Sequence, residues 1–139
     1  MLIQLNPKSH APIWEQIVAG MKELVLVEAL APGDKLPSVR ELASSLLVNP
    51  NTVSKAYQEL ERQGVIETLR GKGTFVAAAI VPRQDEQKVQ RLEQQLKQLL
   101  LEATYLGISK ERMLAWVEEH FRQLGGISVA ASGTDDKKD

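Results

Sequence analysis

Through most of this chain apolar residues return every three or four positions, in two short stretches they return every second position, and the changes of period mark the elements. Leu2 to Leu5 alternates apolar and polar, which predicts a short strand closed by Asn6-Pro7. A helix is expected to start within Ser9 to Pro12 and, marked by Ile13, Ile17, Met21, Leu24 and Val25, to run to about Leu30, where Ala31-Pro32-Gly33-Asp34 supplies turn residues. Val39, Leu42, Ala43 and Leu46 predict a second, short helix over 39–46, with Ser38 as cap and Glu41 completing a capping box. Only Leu47 to Pro50 separate it from a third helix. There Asn49 caps, Pro50 takes the first position and Gly64 provides the stop, while Val53, Ala56, Tyr57 and Leu60 form the inward face. After Gly64 the period drops to two. Val65–Leu69 and Thr74–Val76 flank Arg70-Gly71-Lys72-Gly73, the pattern of a β-hairpin with a tight glycine-rich turn.

Two helices joined by a short turn and followed by a hairpin are a helix-turn-helix with a wing. The third helix would be the reading helix: it opens on polar residues, and its outer face carries Asn51, Thr52, Ser54, Lys55 and Gln58. Amide side chains suit adenine, hydroxyls donate or accept, and a lysine suits phosphate or guanine. Any exposed helix carries polar residues on its outer face, so this helix alone does not decide the matter; its flanking segments do.

The net charge of −1 does not advertise nucleic-acid binding, so position has to carry the argument. Residues 35–72 hold six cations (Lys35, Arg40, Lys55, Arg62, Arg70, Lys72) against four acids, whereas residues 77–139 hold nine against ten. The basic excess coincides with the reading helix and the wing. The absence of cysteine excludes disulfides, thiolate metal sites and a cysteine nucleophile. With neither a long apolar run nor a signal-peptide pattern, the expectation is a soluble, cytoplasmic protein. An enzyme is not expected: His10 and His120 stand on different helices, and Glu118-Glu119-His120 lacks metal-binding helix spacing.

Beyond the hairpin, Val89, Leu92, Leu96, Leu99, Ala103 and Leu106 repeat at alternating spacings of three and four before Gly107, the a/d seam of a coiled coil. Ser109 then caps a last helix with Met113, Val117, Phe121 and Leu124 on one side, Trp116 nearby, and Gly125-Gly126 at its end. The seam could pack within one chain, but a two-helix hairpin has too little area to stand alone, and a twofold-related copy is the simplest cover. Trp14, Trp116 and Phe121 could line a small-molecule pocket, although aromatic residues at helical spacing are more often core. The remainder is rich in Gly, Ser, Ala and charge and is expected to be disordered.

Pro32-Gly33-Asp34-Lys35-Leu36-Pro37-Ser38-Val39-Arg40-Glu41-Leu42-Ala43, Asn49-Pro50-Asn51-Thr52-Val53 and Arg70-Gly71-Lys72-Gly73-Thr74-Phe75-Val76 closely resemble the N-terminal winged helix of GntR-type bacterial transcription regulators. The resemblance covers roughly residues 10–79. It implies operator contacts from Arg40, the first turn of the reading helix and the wing tip, giving Ser38, Arg40, Asn51, Thr52, Ser54, Lys55, Arg70, Lys72, Gly73 and Thr74 as candidates. Glu28 departs from the family by standing where many members have Gly, and Leu47 by replacing a small or polar turn residue, with exposed apolar area or unusual packing expected there. About 60 residues after the wing cannot hold a large effector domain, and two short helices look like the YtrA subfamily. That likeness implies a dimerisation module, here Val89, Leu92, Leu96, Leu99, Ala103, Leu106, Trp116 and Phe121, and control of neighbouring transporter genes. The expectation is therefore a mainly α protein with a small β wing: residues 1–79 the winged helix, 80–126 the dimerisation region, 127–139 a tail. Its partners would be double-stranded DNA and a second copy, with no cofactor and no metal, acting as a repressor. The competing reading is a winged helix used to bind protein; polar small residues and a Gly-Lys-Gly wing favour DNA over that.

Overall fold

The structure is a computed structural model that describes residues 3–78 and 85–124. The expected tail, the Gly125-Gly126 stop and Leu2 lie outside those residues. Five helices and one hairpin follow in the order α1 (Ile13–Leu26), α2 (Val39–Leu46), α3 (Pro50–Arg62), β1 (Ile66–Leu69), β2 (Gly73–Val76), α4 (Glu86–Tyr105) and α5 (Lys110–Gln123). They fall into two compact units divided after residue 80.

In the first unit α3 is the central element, packed by α1 and α2 and followed directly by the hairpin. Its inward residues Val53, Ala56, Tyr57 and Leu60 are all buried, as the 3.6-residue spacing requires. They meet Ile17 and Met21 of α1, Leu42 of α2 and Val76 of β2 in one apolar cluster. Each such side chain removed from water contributes on the order of 1.5–3 kcal/mol. The Tyr57 hydroxyl donates to the Pro37 carbonyl at 2.7 Å, tying α3 to the turn that opens α2.

Local chemistry sets the helix starts. Ser38 Oγ accepts from the Glu41 N–H at 3.1 Å and Glu41 Oε1 accepts from the Ser38 N–H at 2.8 Å, a complete capping box. Asn49 Oδ1 accepts from the Asn51 N–H at 2.7 Å, with Pro50 at the first position of α3. Four helices end alike. In each, the backbone turns left-handed, and the next N–H reaches back five residues, as in Val65 N–H to Leu60 carbonyl at 3.0 Å and Ile108 N–H to Ala103 carbonyl at 2.9 Å. Glycine fills the left-handed position after α3 (Gly64, φ 79°) and after α4 (Gly107, φ 78°). After α1 and α2 the position is held by Glu28 (φ 62°) and Leu47 (φ 59°), the two departures noted from the sequence, and Leu47 is 90% exposed.

Three expectations fail here, the first being that His10 stands on a helix: α1 begins only at Ile13. Helix α1 stops at Leu26 rather than about Leu30, because Glu28 adopts the left-handed turn that the sequence suggests only for glycine, and the Ala29 N–H closes it onto the Leu24 carbonyl at 2.9 Å. Residues 3–5 form no strand. Their alternation reflects burial without pairing: Ile3 is buried against α1, where a Cβ added to Gly20 would sit 2.9 Å from Ile3 Cγ2.

The hairpin pairs Ile66 with Val76, Glu67 with Phe75, Thr68 with Thr74 and Leu69 with Gly73, leaving Arg70, Gly71 and Lys72 as its loop. Strand β2 is also paired on its far edge. The Leu36 N–H donates to the Thr74 carbonyl and the Val76 N–H to the Asp34 carbonyl, both at 2.8 Å, with a bridge between Lys35 and Phe75. The segment before α2, legible only as a turn, thus lies alongside the wing as an additional edge.

Candidate nucleic-acid interface

Opposite its buried face, α3 presents Asn51, Lys55, Gln58 and Arg62, spaced so that they form one exposed stripe along the helix. Thr52 and Ser54 lie at its margins and are half-buried. Arg62 is engaged by Glu59 through two guanidinium hydrogen bonds of 3.0 and 2.5 Å, so the outward cation nearest the helix start is Lys55. Lys55 does not project alone: its ammonium lies 4.6 Å from the centre of the Trp14 ring, at the start of α1.

Arg40 is the second residue of α2 and is exposed. Beside it Ser38 serves as helix cap, though a hydroxyl that accepts can still donate outward. The Glu41 carboxyl is held below its ordinary value, first by the Ser38 backbone N–H, then by the Ser38 hydroxyl, with the Lys35 charge adding in the same direction.

At the wing tip Arg70, Gly71 and Lys72 are exposed, and the Lys72 N–H donates to the Leu69 carbonyl at 2.9 Å. Gly73, at φ 123°, lies under the Lys35 side chain, and a Cβ there would stand 3.0 Å from Lys35 Cε. Thr74 is half-buried, its carbonyl taken by Leu36. The first unit therefore brings Ser38, Arg40, Asn51, Thr52, Ser54, Lys55, Arg70, Lys72, Gly73 and Thr74 onto three consecutive elements, helix start, helix start and hairpin tip. Two side chains outside that set lie beside it: Trp14 beneath Lys55, and Lys35, counted in the sequence only within the basic excess, along the wing. A tryptophan at the start of an amphipathic helix gave no sign of a cationic partner on another helix.

The second unit offers a different surface. Asp85 caps α4 and Ser109 caps α5, whose last turn carries an ion pair between Arg122 and Glu119. Along the seam Val89, Leu92, Leu96 and Leu99 are 47–66% exposed, so α5 does not cover them. Leu106 is exposed too, while Ala103, in the last turn of α4, is buried and is the only buried residue described in this unit. Trp116 and Phe121 are exposed, with the Arg112 guanidinium 5.2 Å from the Trp116 ring centre. Leu101 and Tyr105 are also exposed and fall on the side of α4 away from the seam, so the heptad does not account for all its apolar surface. Among the described residues no helix is long and apolar enough to cross a membrane.

Known proteins share this arrangement. A profile described as bacterial regulatory proteins, gntR family, matches residues 13–76. Over 118 residues the chain is 52% identical to the HTH-type transcriptional repressor YtrA of Bacillus subtilis (strain 168), covering 85% of this chain and 91% of that protein. Among solved structures, a transcriptional antiterminator from Listeria monocytogenes EGD-e superposes with a TM-score of 0.79 at 44% identity, over 93% of this chain and 97% of that one. YtrA from Sulfolobus acidocaldarius, a GntR-family transcription factor, superposes with a TM-score of 0.56 at 35% identity, over 73% and 99%.

Proposed function

This chain belongs to the gntR family of bacterial regulatory proteins, and from that membership we propose that it is a repressor that pairs with a second copy to read an inverted-repeat operator. Residues 1–79 act as the DNA-binding domain and 80–126 as the dimerisation region. Asn51 and Thr52, with Ser54, face base edges in the major groove, Lys55 brings a cation to phosphate or guanine, and Arg40 and the wing residues Arg70, Lys72, Gly73 and Thr74 hold the backbone. The single observation that carries this reading is the exposed polar stripe of α3, which the chain places between the exposed Arg40 of α2 and the exposed basic hairpin tip. Pairing is supported by the uncovered leucines of α4, which a monomer would leave in water. The work is done in the cytoplasm, and its targets, by likeness to the YtrA subfamily, are neighbouring transporter genes.

Selection of bound duplexes from a random-sequence pool tests the proposal. An enriched sequence with two inverted half-sites about one or more helical turns apart is the expected result. Enrichment of a single asymmetric site would remove the dimer, and no enrichment above an unrelated protein would remove DNA reading altogether.

A further inference from the structure

Lys55 is a long, flexible side chain on the outward stripe of α3, and such a side chain loses rotamer freedom when it grips a ligand. Here part of that freedom is already gone. The Trp14 ring, at 4.6 Å from the ammonium, supplies an electron-rich face within cation–π range. The platform is itself fixed, because Trp14 is half-buried and packs against the core cluster shared by α1, α2 and α3. An ammonium has three N–H donors, and a ring on one side leaves others directed away from it, toward whatever lies on α3. We propose that Trp14 is a positioning residue for operator binding, holding the Lys55 ammonium on the reading stripe in the orientation it uses on DNA. This rests on the proposed use of α3 to read DNA.

The effect belongs to preorganisation. Removing the ring leaves the charge of Lys55 in place, so affinity falls while the number of counterions released does not. The test compares full-length wild type, Trp14→Leu, Trp14→Tyr, Lys55→Met and the Trp14→Leu/Lys55→Met double variant on the duplex that wild type recovers from a random pool, with a thermal melt of each. Trp14→Leu should bind about twofold to tenfold more weakly with an unchanged salt slope, and Trp14→Tyr, which keeps a π-face, should recover most of the loss. Lys55→Met should lower the salt slope by about one unit. Placing Trp14→Leu on top of Lys55→Met should then cost no further affinity, whatever it does to the melting temperature. An equal loss in both backgrounds would show that Trp14 matters only to the fold and overturn the assignment, as would no loss from Trp14→Leu alone. If wild type recovers no duplex, DNA reading fails and this role fails with it; a recovered duplex indifferent to Trp14 removes this role alone.

Discussion

The phenol of Tyr57 joins α3 to the turn before α2 through its bond to the Pro37 carbonyl. Burial, with the Glu41 charge adding to it, pushes its pKa from the ordinary 10 up to about 12. Because the folded-state value lies above the unfolded one, this contribution to stability is complete below pH 10 and is lost as pH rises through about 12. Tyr57→Phe should cost about 1 kcal/mol at neutral pH, and the gap to wild type should close across that alkaline window, as read by urea unfolding at several pH values. A gap that stays constant to pH 12 would disprove the linkage. Glu28 stores strain of another kind, since a left-handed φ costs a side chain about 1–2 kcal/mol. Glu28→Gly should therefore stabilise the first unit by about 1 kcal/mol, allowing for glycine's greater freedom when unfolded. A melting temperature that falls instead would assign the Glu28 side chain a supporting contact.

At the level of elements, the wing and the start of α2 should act on the DNA backbone without reading it. Replacing Arg40 or Lys72 with Ala should weaken binding about uniformly across sequences and reduce the salt slope by about one unit per lost contact. A changed base preference in either variant would reassign it to base reading. These two elements also show what a sequence discloses. The helix caps at Ser38, Asn49 and Ser109 were legible because each is decided within three residues of chain. The hairpin was legible for the same reason, to within one residue at Val65 and Gly73. The pairing of β2 with 34–36, the seat of Lys55 on Trp14 and the packing of Ile3 on Gly20 were not, since each joins parts of the chain far apart in sequence. The end of α1 was missed for a local reason: the resemblance set Glu28 at a position where many members have Gly, but glutamate's own chemistry gives no sign that it takes the glycine conformation.

Across the whole molecule, pairing is proposed to run through the exposed leucines of α4. Leu96→Glu would set an unpaired carboxylate in the proposed interface, a cost of several kcal/mol that a short seam cannot absorb. The variant should keep a folded winged unit, sediment as a monomer and bind a full operator no better than a half-site. If it still sediments as a dimer, the contact passes to α5 through Trp116 and Phe121. The extent of bare apolar surface on α4 also bears on gene dosage. When chains are scarce relative to the pairing constant, the population of pairs follows the square of chain abundance, so halving the supply cuts the operator-competent species about fourfold. Under the proposed pairing, those leucines give the switch a threshold: a modest fall in synthesis would empty the operator far sooner than it would for a protein that binds alone.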